Sequence, residues 1–398
     1  MHLKFITVLS LLVVFISCSK EPAIMKVPKM DDQPESLVFS QITDWSFKTN
    51  GEIYGNAAVS EDKIFIGNNE GSFFCLDMNG AEVWSLATGF PIKSEPVFSN
   101  SLVMFSAANR LFALNSSDGS LFWMHEPDET KRNSYVNRFD DWDLKDSSPI
   151  VSDGVVYYGN QFGTLYGLDI RTGVEVFNFK TTDNRRIRVK PAISENLIYI
   201  GDSGGKVYAI DLSTAKADWI FETLLNAEDD GGSIIGEMVI IRNRLYFPSQ
   251  NTILYALDKN NAEVLWEHES TSGWHSGIPV VDENLRLYAG ENFTSRLFGL
   301  DELSGEESWT FEGIHEIYNA PVIVGDKIVL ATSDPSSLNN NSLGTGILHV
   351  LRNTGEGLKR ATINGSVYAS PKIAGNKLIF GAKDGFVYAV NLEKLLAE

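Results

Sequence analysis

Positive charge is scarce in this chain. Its 398 residues carry 33 Lys and Arg against 52 Asp and Glu, a net charge of −19. Phosphate backbones are held by clustered cations, so nucleic-acid binding is excluded. The same excess favours solubility and a basic or neutral partner, and says nothing of fold. Cysteine is reduced to Cys18 and Cys75. No Gly-rich phosphate motif stands at a strand-to-helix junction, and the glycines mark hairpin turns instead. Asp140-Asp141-Trp142-Asp143 is acidic, but it lacks the Gly turn and distal Glu of a calcium loop and reads as a solvated loop. His275 and His315 stand in polar loops and His125 ends a strand, a pattern that offers no nucleophile–base pair.

The apolar stretch Phe5–Ile16 follows Lys4 and is too short to span a bilayer. It reads as a secretion signal. Its ending, Phe15-Ile16-Ser17-Cys18, resembles a bacterial lipobox, whose last residue carries the lipid. Acylation of Cys18 would anchor the chain to a membrane surface without spanning it. Ser19 stands where Asp retains lipoproteins at the inner membrane of enterobacteria, so the expected location is the outer membrane, facing the periplasm. With Cys18 lipidated, Cys75 has no intrachain partner and is expected as a buried thiol. The expected organisation is a leader over 1–18, a flexible tether over 19–43 and one domain over 44–398.

What fills the chain is a repeat. Leu300-Asp301 leads through Ser304-Gly305 to Trp309, and related stretches start at Leu76, Leu114, Leu168, Ile210, Leu257, Leu351 and Val390. The spacing, roughly 40–55 residues, is that of a four-stranded propeller blade. Strand A of a blade opens with Pro96, Pro149, Pro191, Pro279, Pro321 or Pro371, a position where proline removes no ladder bond. Counting these starts, near 57, 96, 149, 191, 239, 279, 321 and 371, predicts an all-β, eight-bladed β-propeller of four-stranded antiparallel blades. Trp45, Trp84, Trp123, Trp219, Trp266 and Trp309 fall on strand D, where Phe177 and Lys359 take the remaining places. These indoles are expected to pack between neighbouring blades. Trp45 lies in a D-type strand with no repeat before it, and the repeat from Phe386 lacks its D strand. The N-terminal strand is therefore expected to complete the last blade and close the ring.

The Leu-Asp-x-x-x-Gly-x-x-x-Trp copies resemble the quinoprotein (PQQ-like) β-propeller repeat over residues 44–392. That family includes quinone-dependent dehydrogenases and also the non-enzymatic BamB lipoproteins of the outer-membrane β-barrel assembly machine. A lipobox followed by plain repeats is most similar to the BamB type. The resemblance implies a scaffold that binds protein partners, with no cofactor and no catalytic residue. A dehydrogenase of this family would use calcium and a carboxylate base, and many use adjacent cysteines, which are missing here. A glycan or small-ligand binder is the other alternative, since flat aromatic rings suit sugars.

The longer connections, 126–148, 222–236 and 334–346, join strand D to A or B to C, which places all three on one face of the disc. Three residues before each strand A stand Tyr54, Lys93, Asp146, Arg188, Gly236, Ser276, Tyr318 and Tyr368. Tyr318, Tyr368 and Tyr54 are expected to form an arc at the mouth of that face, opposite Lys93, Asp146 and Arg188. Trp142, Trp274 and His275 lie in D–A loops of the same face. Aromatic residues with Arg make interface anchors, so Tyr54, Tyr318, Tyr368, Trp142, Trp274, His275, Lys93, Asp146 and Arg188 are the candidate interface residues, with Cys18 for lipid.

Overall fold

The computed structural model describes residues 34–129, 146–223, 232–234, 236–270, 273–275, 277–313, 315–337 and 342–397. Cys18, Trp142 and Ser276 lie outside them. Eight antiparallel sheets follow one another along the chain. Blade one is Ala58–Val59, Lys63–Gly67, Ser72–Asp77 and Glu82–Ala87, strands A to D from the axis outward. Each later strand A begins within a residue of the expected start, at Val97, Ile150, Ala192, Val239, Val280, Val322 and Lys372.

Blade eight takes its strand D from the other end of the chain. Thr43–Lys48 pairs antiparallel with Phe386–Asn391, Trp45 opposite Ala389 and Lys48 opposite Phe386. The ring is thus closed as the sequence predicts. The tether, however, ends earlier than expected. Glu35–Leu37 is a strand that lies parallel on the outer edge of blade seven, and Phe39–Ile42 is a short helix. Leu37 and Phe39 pack on the core between blades seven and eight, apolar contacts that the lack of periodicity in this segment hid. Blade seven accordingly has five strands.

The repeat motif is explained by one contact used round the ring. The Trp309 indole donates to the Asn353 carbonyl in the C–D turn of the next blade (3.0 Å), and its ring lies against Gly355 there. Trp45, Trp84, Trp123, Trp219 and Trp266 reach the next turn in the same way, at Met78, Ser116, Ile170, Lys259 and Glu302. A side chain at Gly355 would collide with the indole, and its φ of +88° is a second reason for glycine. The turn Asp holds the loop: Asp301 Oδ1 accepts from the amides of Leu303 and Ser304.

Within its own blade the Trp needs a small neighbour on strand C. Cys75 faces Trp84, Ala113 faces Trp123, Ala209 faces Trp219, Ala256 faces Trp266 and Gly299 faces Trp309. Cys75 is fully buried, and burial pushes its thiol up to about 12, as suits an inert packing residue. Blade seven reverses the sizes: Lys359 replaces Trp, and its partner is Val350. Lys359 is covered by the N-terminal strand and pairs with Glu35 at 3.3 Å. The cores lie between blades, as where Tyr288, Trp309 and Phe311 of blade six meet Ile328, Leu330 and Leu351 of blade seven.

Candidate functional site

The D–A loops enter the mouth on buried isoleucines. Ile53, Ile92, Ile187 and Ile317 each sit on the glycine that ends a strand B: Gly381, Gly67, Gly159 and Gly290. The residue after each isoleucine is Tyr54, Lys93, Arg188 or Tyr318. A rigid apolar peg therefore fixes every one of these side chains at the rim of the channel.

The tyrosine arc is present. Tyr54 stacks on Tyr368 at 5.6 Å between ring centroids, and Tyr368 meets Tyr318 at 5.4 Å. Lys93 joins this arc instead of facing it, with its ammonium 5.6 Å over the Tyr54 ring, since blades one and two are neighbours. Asp146 and Arg188 are half-buried further round. Tyr54 donates to Glu52 at 2.6 Å, and Tyr318 donates to Glu316. Burial raises the Glu316 carboxyl above the ordinary range, partly offset by the Tyr318 hydroxyl. Tyr368 is fully buried, bonded to Ser337 of the long B–C insertion in blade seven. Lys383 donates to the Ser337 and Ser342 carbonyls, so the insertion is laid over blade eight. Tyr368 is thus removed from any surface that a partner could touch.

His275 is removed as well. It is fully buried, bridged to Glu291 on the strand-B side and 3.2 Å from the His268 ring nitrogen. Burial pushes it down to about 3, so it is neutral and cannot serve as an exposed anchor. Trp274 beside it is half-buried, its ring edge-on to Phe293 at 5.5 Å. Phe293 is a member of this face that lies outside the D–A register. It sits in the B–C turn of blade six, half exposed, with its amide donating to Glu316. Exposed Leu343, in the insertion of blade seven, stands on the same face.

A second cluster, also missed, closes the axis. Glu95 of blade two lies between Lys190 of blade four (3.3 Å) and Lys372 of blade eight (3.1 Å). Asn56 of blade one donates to its other oxygen at 2.7 Å and accepts from the Ser370 amide. Burial would raise the Glu95 carboxyl, but the two lysines and Asn56 outweigh it and hold it at about 2. Glu95 and Lys190 each directly precede the proline of a strand A, and Lys372 follows one. Opposite charges in the row next to the prolines were the available signal.

The quinone and calcium that related propellers hold do not fit these residues. The axial carboxylate is already neutralised by two ammonium groups, and among the described residues no group of three His, Cys, Asp or Glu is placed to hold a metal. Gly201-Asp202-Ser203-Gly204-Gly205 has the spacing of a serine elbow, yet it is a hairpin turn between strands B and C of blade four. Asp202 there caps the turn by accepting from the Gly204 amide, and Ser203 accepts from the Arg186 amide.

Comparison with known proteins agrees with this architecture. The family described as “Outer membrane protein assembly factor BamB” matches residues 40–138, 106–252 and 141–346. The chain is similar to outer membrane protein assembly factor BamB of Moranella endobia, 23% identical over 94% of this chain and 96% of that protein. It is 29% identical to BamB of Yersinia pestis over 136 residues, a match covering 34% of that protein's length and 32% of this chain. Among solved structures, BamB from Moraxella catarrhalis superposes with a TM-score of 0.68 at 18% identity, over 88% of this chain and 99% of that one. Quinohemoprotein alcohol dehydrogenase from Comamonas testosteroni reaches 0.70 at 12% identity, over 88% and 76%. At such identities these two likenesses show the fold.

Proposed function

Since the chain belongs to the family described as outer membrane protein assembly factor BamB, we propose that it is a non-enzymatic propeller scaffold of the bacterial outer membrane. It binds an envelope protein partner, the β-barrel assembly machine, and it is anchored by lipid on Cys18. The family match supports the role, and the geometry favours the D–A face as the contact surface. The D–A face presents Trp274, Phe293 and Leu343 on loops fixed by a rigid ring, the composition and stiffness that suit a protein contact. The glycan alternative gains little, because the tyrosine rings that would stack on a sugar meet one another and Lys93.

Affinity capture of the tagged full chain from mildly solubilised membranes, read by mass spectrometry, tests the partner. Subunits of the barrel-assembly machine are expected with the wild type and reduced about tenfold with Phe293→Asp, a truncation-scale loss for an interface anchor. Capture without any assembly subunit would remove the reading. The anchor has its own test: labelled palmitate is expected to enter the wild-type chain and not Cys18→Ser. Equal labelling of both would place the lipid elsewhere, and labelling of neither would remove the anchor.

A further inference from the structure

Trp274 is held on the D–A face from behind by a pair of histidines. His275, the next residue, turns into the seam between blades five and six. Its Nε2 lies 3.2 Å from Nδ1 of His268, on the outer strand Val264–Glu269 of blade five. The other nitrogen of His268, Nε2, stands 3.8 Å from Glu307 on the outer strand Glu307–Glu312 of blade six. Phe298 of blade six closes the pair from the side, in edge contact with both imidazoles. The seat of His275 also fixes the backbone beside it. The Trp274 amide donates to the Asn292 side chain at 2.8 Å, the Asn292 amide donates to the Trp274 carbonyl at 3.0 Å, and His275 bridges to Glu291. A ring expelled from the seam would draw these bonds apart and separate Trp274 from Phe293.

The seat accepts a neutral imidazole and not a charged one. A doubly protonated His275 would carry an N–H on Nδ1, which is buried and meets no hydrogen-bond partner among the described residues. The carboxylates nearby are already engaged. Glu291 is held by Arg296 at 2.8 Å and by the Ser270 hydroxyl, and Glu307 faces His268. Glu267 and Glu269 alternate with His268 along their strand and are exposed. Burial first, and then the charge of His268, hold His275 down to about 3, against 6.5 for a released side chain; Arg296 adds to the effect. Glu291 works in the other direction, because burial raises its carboxyl and favours its proton in the folded state. A substitution at His275 leaves that contribution in place.

We propose that His268 and His275 form an acid-released latch on the D–A face: protonation of His275 expels its ring from the seam, frees residues 273–275 and withdraws Trp274 from the surface. Its role as regulation rests on the reading of that face as the partner contact. A base whose folded value lies below its released one favours the folded seat above the released value, and that preference is lost as pH falls toward the folded one. With 6.5 and about 3 as the two values, the released population should rise about tenfold between pH 7.5 and 5.5, and about tenfold again by pH 4.5.

Hydrogen exchange of the full chain, corrected for the intrinsic pH dependence of exchange, reads the released population at the amides of Trp274 and Asn292. Protection there is expected to fall about tenfold between pH 7.5 and 5.5. The strand Lys327–Ser333 of blade seven should keep its protection, which separates the latch from general loosening by acid. In His275→Gln, whose carboxamide still reaches for His268 but does not titrate, protection at Trp274 and Asn292 should be the same at both pH values. The wild-type profile needs no variant and decides alone if His275→Gln does not fold. Protection that ignores pH in the wild type, an equal fall in Lys327–Ser333, or an equal fall in a folded His275→Gln would each overturn the proposal. The measurement uses the chain without a partner, so its failure leaves the partner reading standing, and a capture that yields no assembly subunit leaves the latch standing.

Discussion

Trp309→Ala is expected to destabilise the folded chain by about 3–5 kcal/mol, the range for removing a large buried aromatic. The indole is 4% exposed and lies between Gly299 of its own blade and Gly355 of the next. Neither glycine has a side chain that could relax into the space. The Asn353 carbonyl would lose its donor as well. Trp123, which is only half-buried, should cost less when replaced in the same way. Urea unfolding followed by circular dichroism measures both. A cost below about 1 kcal/mol for Trp309→Ala would mean that the Trp–turn contact is not what joins adjacent blades.

Glu95→Gln is expected to cost about 2–3 kcal/mol at neutral pH. Removing one member of a buried ion pair costs about 3–5 kcal/mol, and the partial exposure of Lys190 and Lys372 screens some of that. The effect has a defined pH dependence. The Glu95 carboxyl is depressed in the folded chain, from 4.5 to about 2. A depressed acid contributes stability above its unfolded value and loses it as pH falls through the folded one. The wild-type advantage over Glu95→Gln should therefore be constant above about pH 5 and vanish between about pH 4.5 and 2. Thermal melts of both proteins across that window measure the difference, in which other titrating groups cancel. A difference that does not change with pH would show that the carboxylate charge is not what holds the axis.

The fold was legible because the repeat is a packing rule written in residue types. Trp, the turn Gly and the small strand-C residue each answer a contact with the next blade or the facing strand, so they recur wherever the contact does. Even the exception is consistent, since Lys359 comes with the larger Val350. Closure by Thr43–Lys48 was legible for the same reason, as two incomplete motifs at the chain ends. The strand Glu35–Leu37 was not, because a lone rim strand repeats nothing and has no period to read.

The mouth was legible only in part. The register placed Tyr54, Tyr318 and Tyr368 together correctly, because the buried Ile53, Ile317 and Val367 each hold the residue that follows at the rim. It could not tell that Ser337 covers Tyr368, a contact made by an insertion outside the repeat. Nor could it see that His275 turns inward to His268. Phe293 lies in a B–C turn, outside the D–A row that the repeat register defines. Of the charges on the axis, Glu95 and Lys190 stand two positions further along that same row and Lys372 four, where their side chains meet across the channel.

Closure by the two chain ends also sets an order of events. Thr49 bonds Gly385 across 336 residues of chain, so the final interblade seam cannot form until nearly the whole polypeptide is available. Contacts so remote in sequence cost loop entropy before they return any stabilisation. A growing or translocating chain therefore carries seven blades' worth of half-made interfaces with an open first seam, and a stop codon before Phe386 would leave that seam permanently without its mate. The last few dozen residues act as the clasp of a necklace: small in size, and required before the rest can hold its shape.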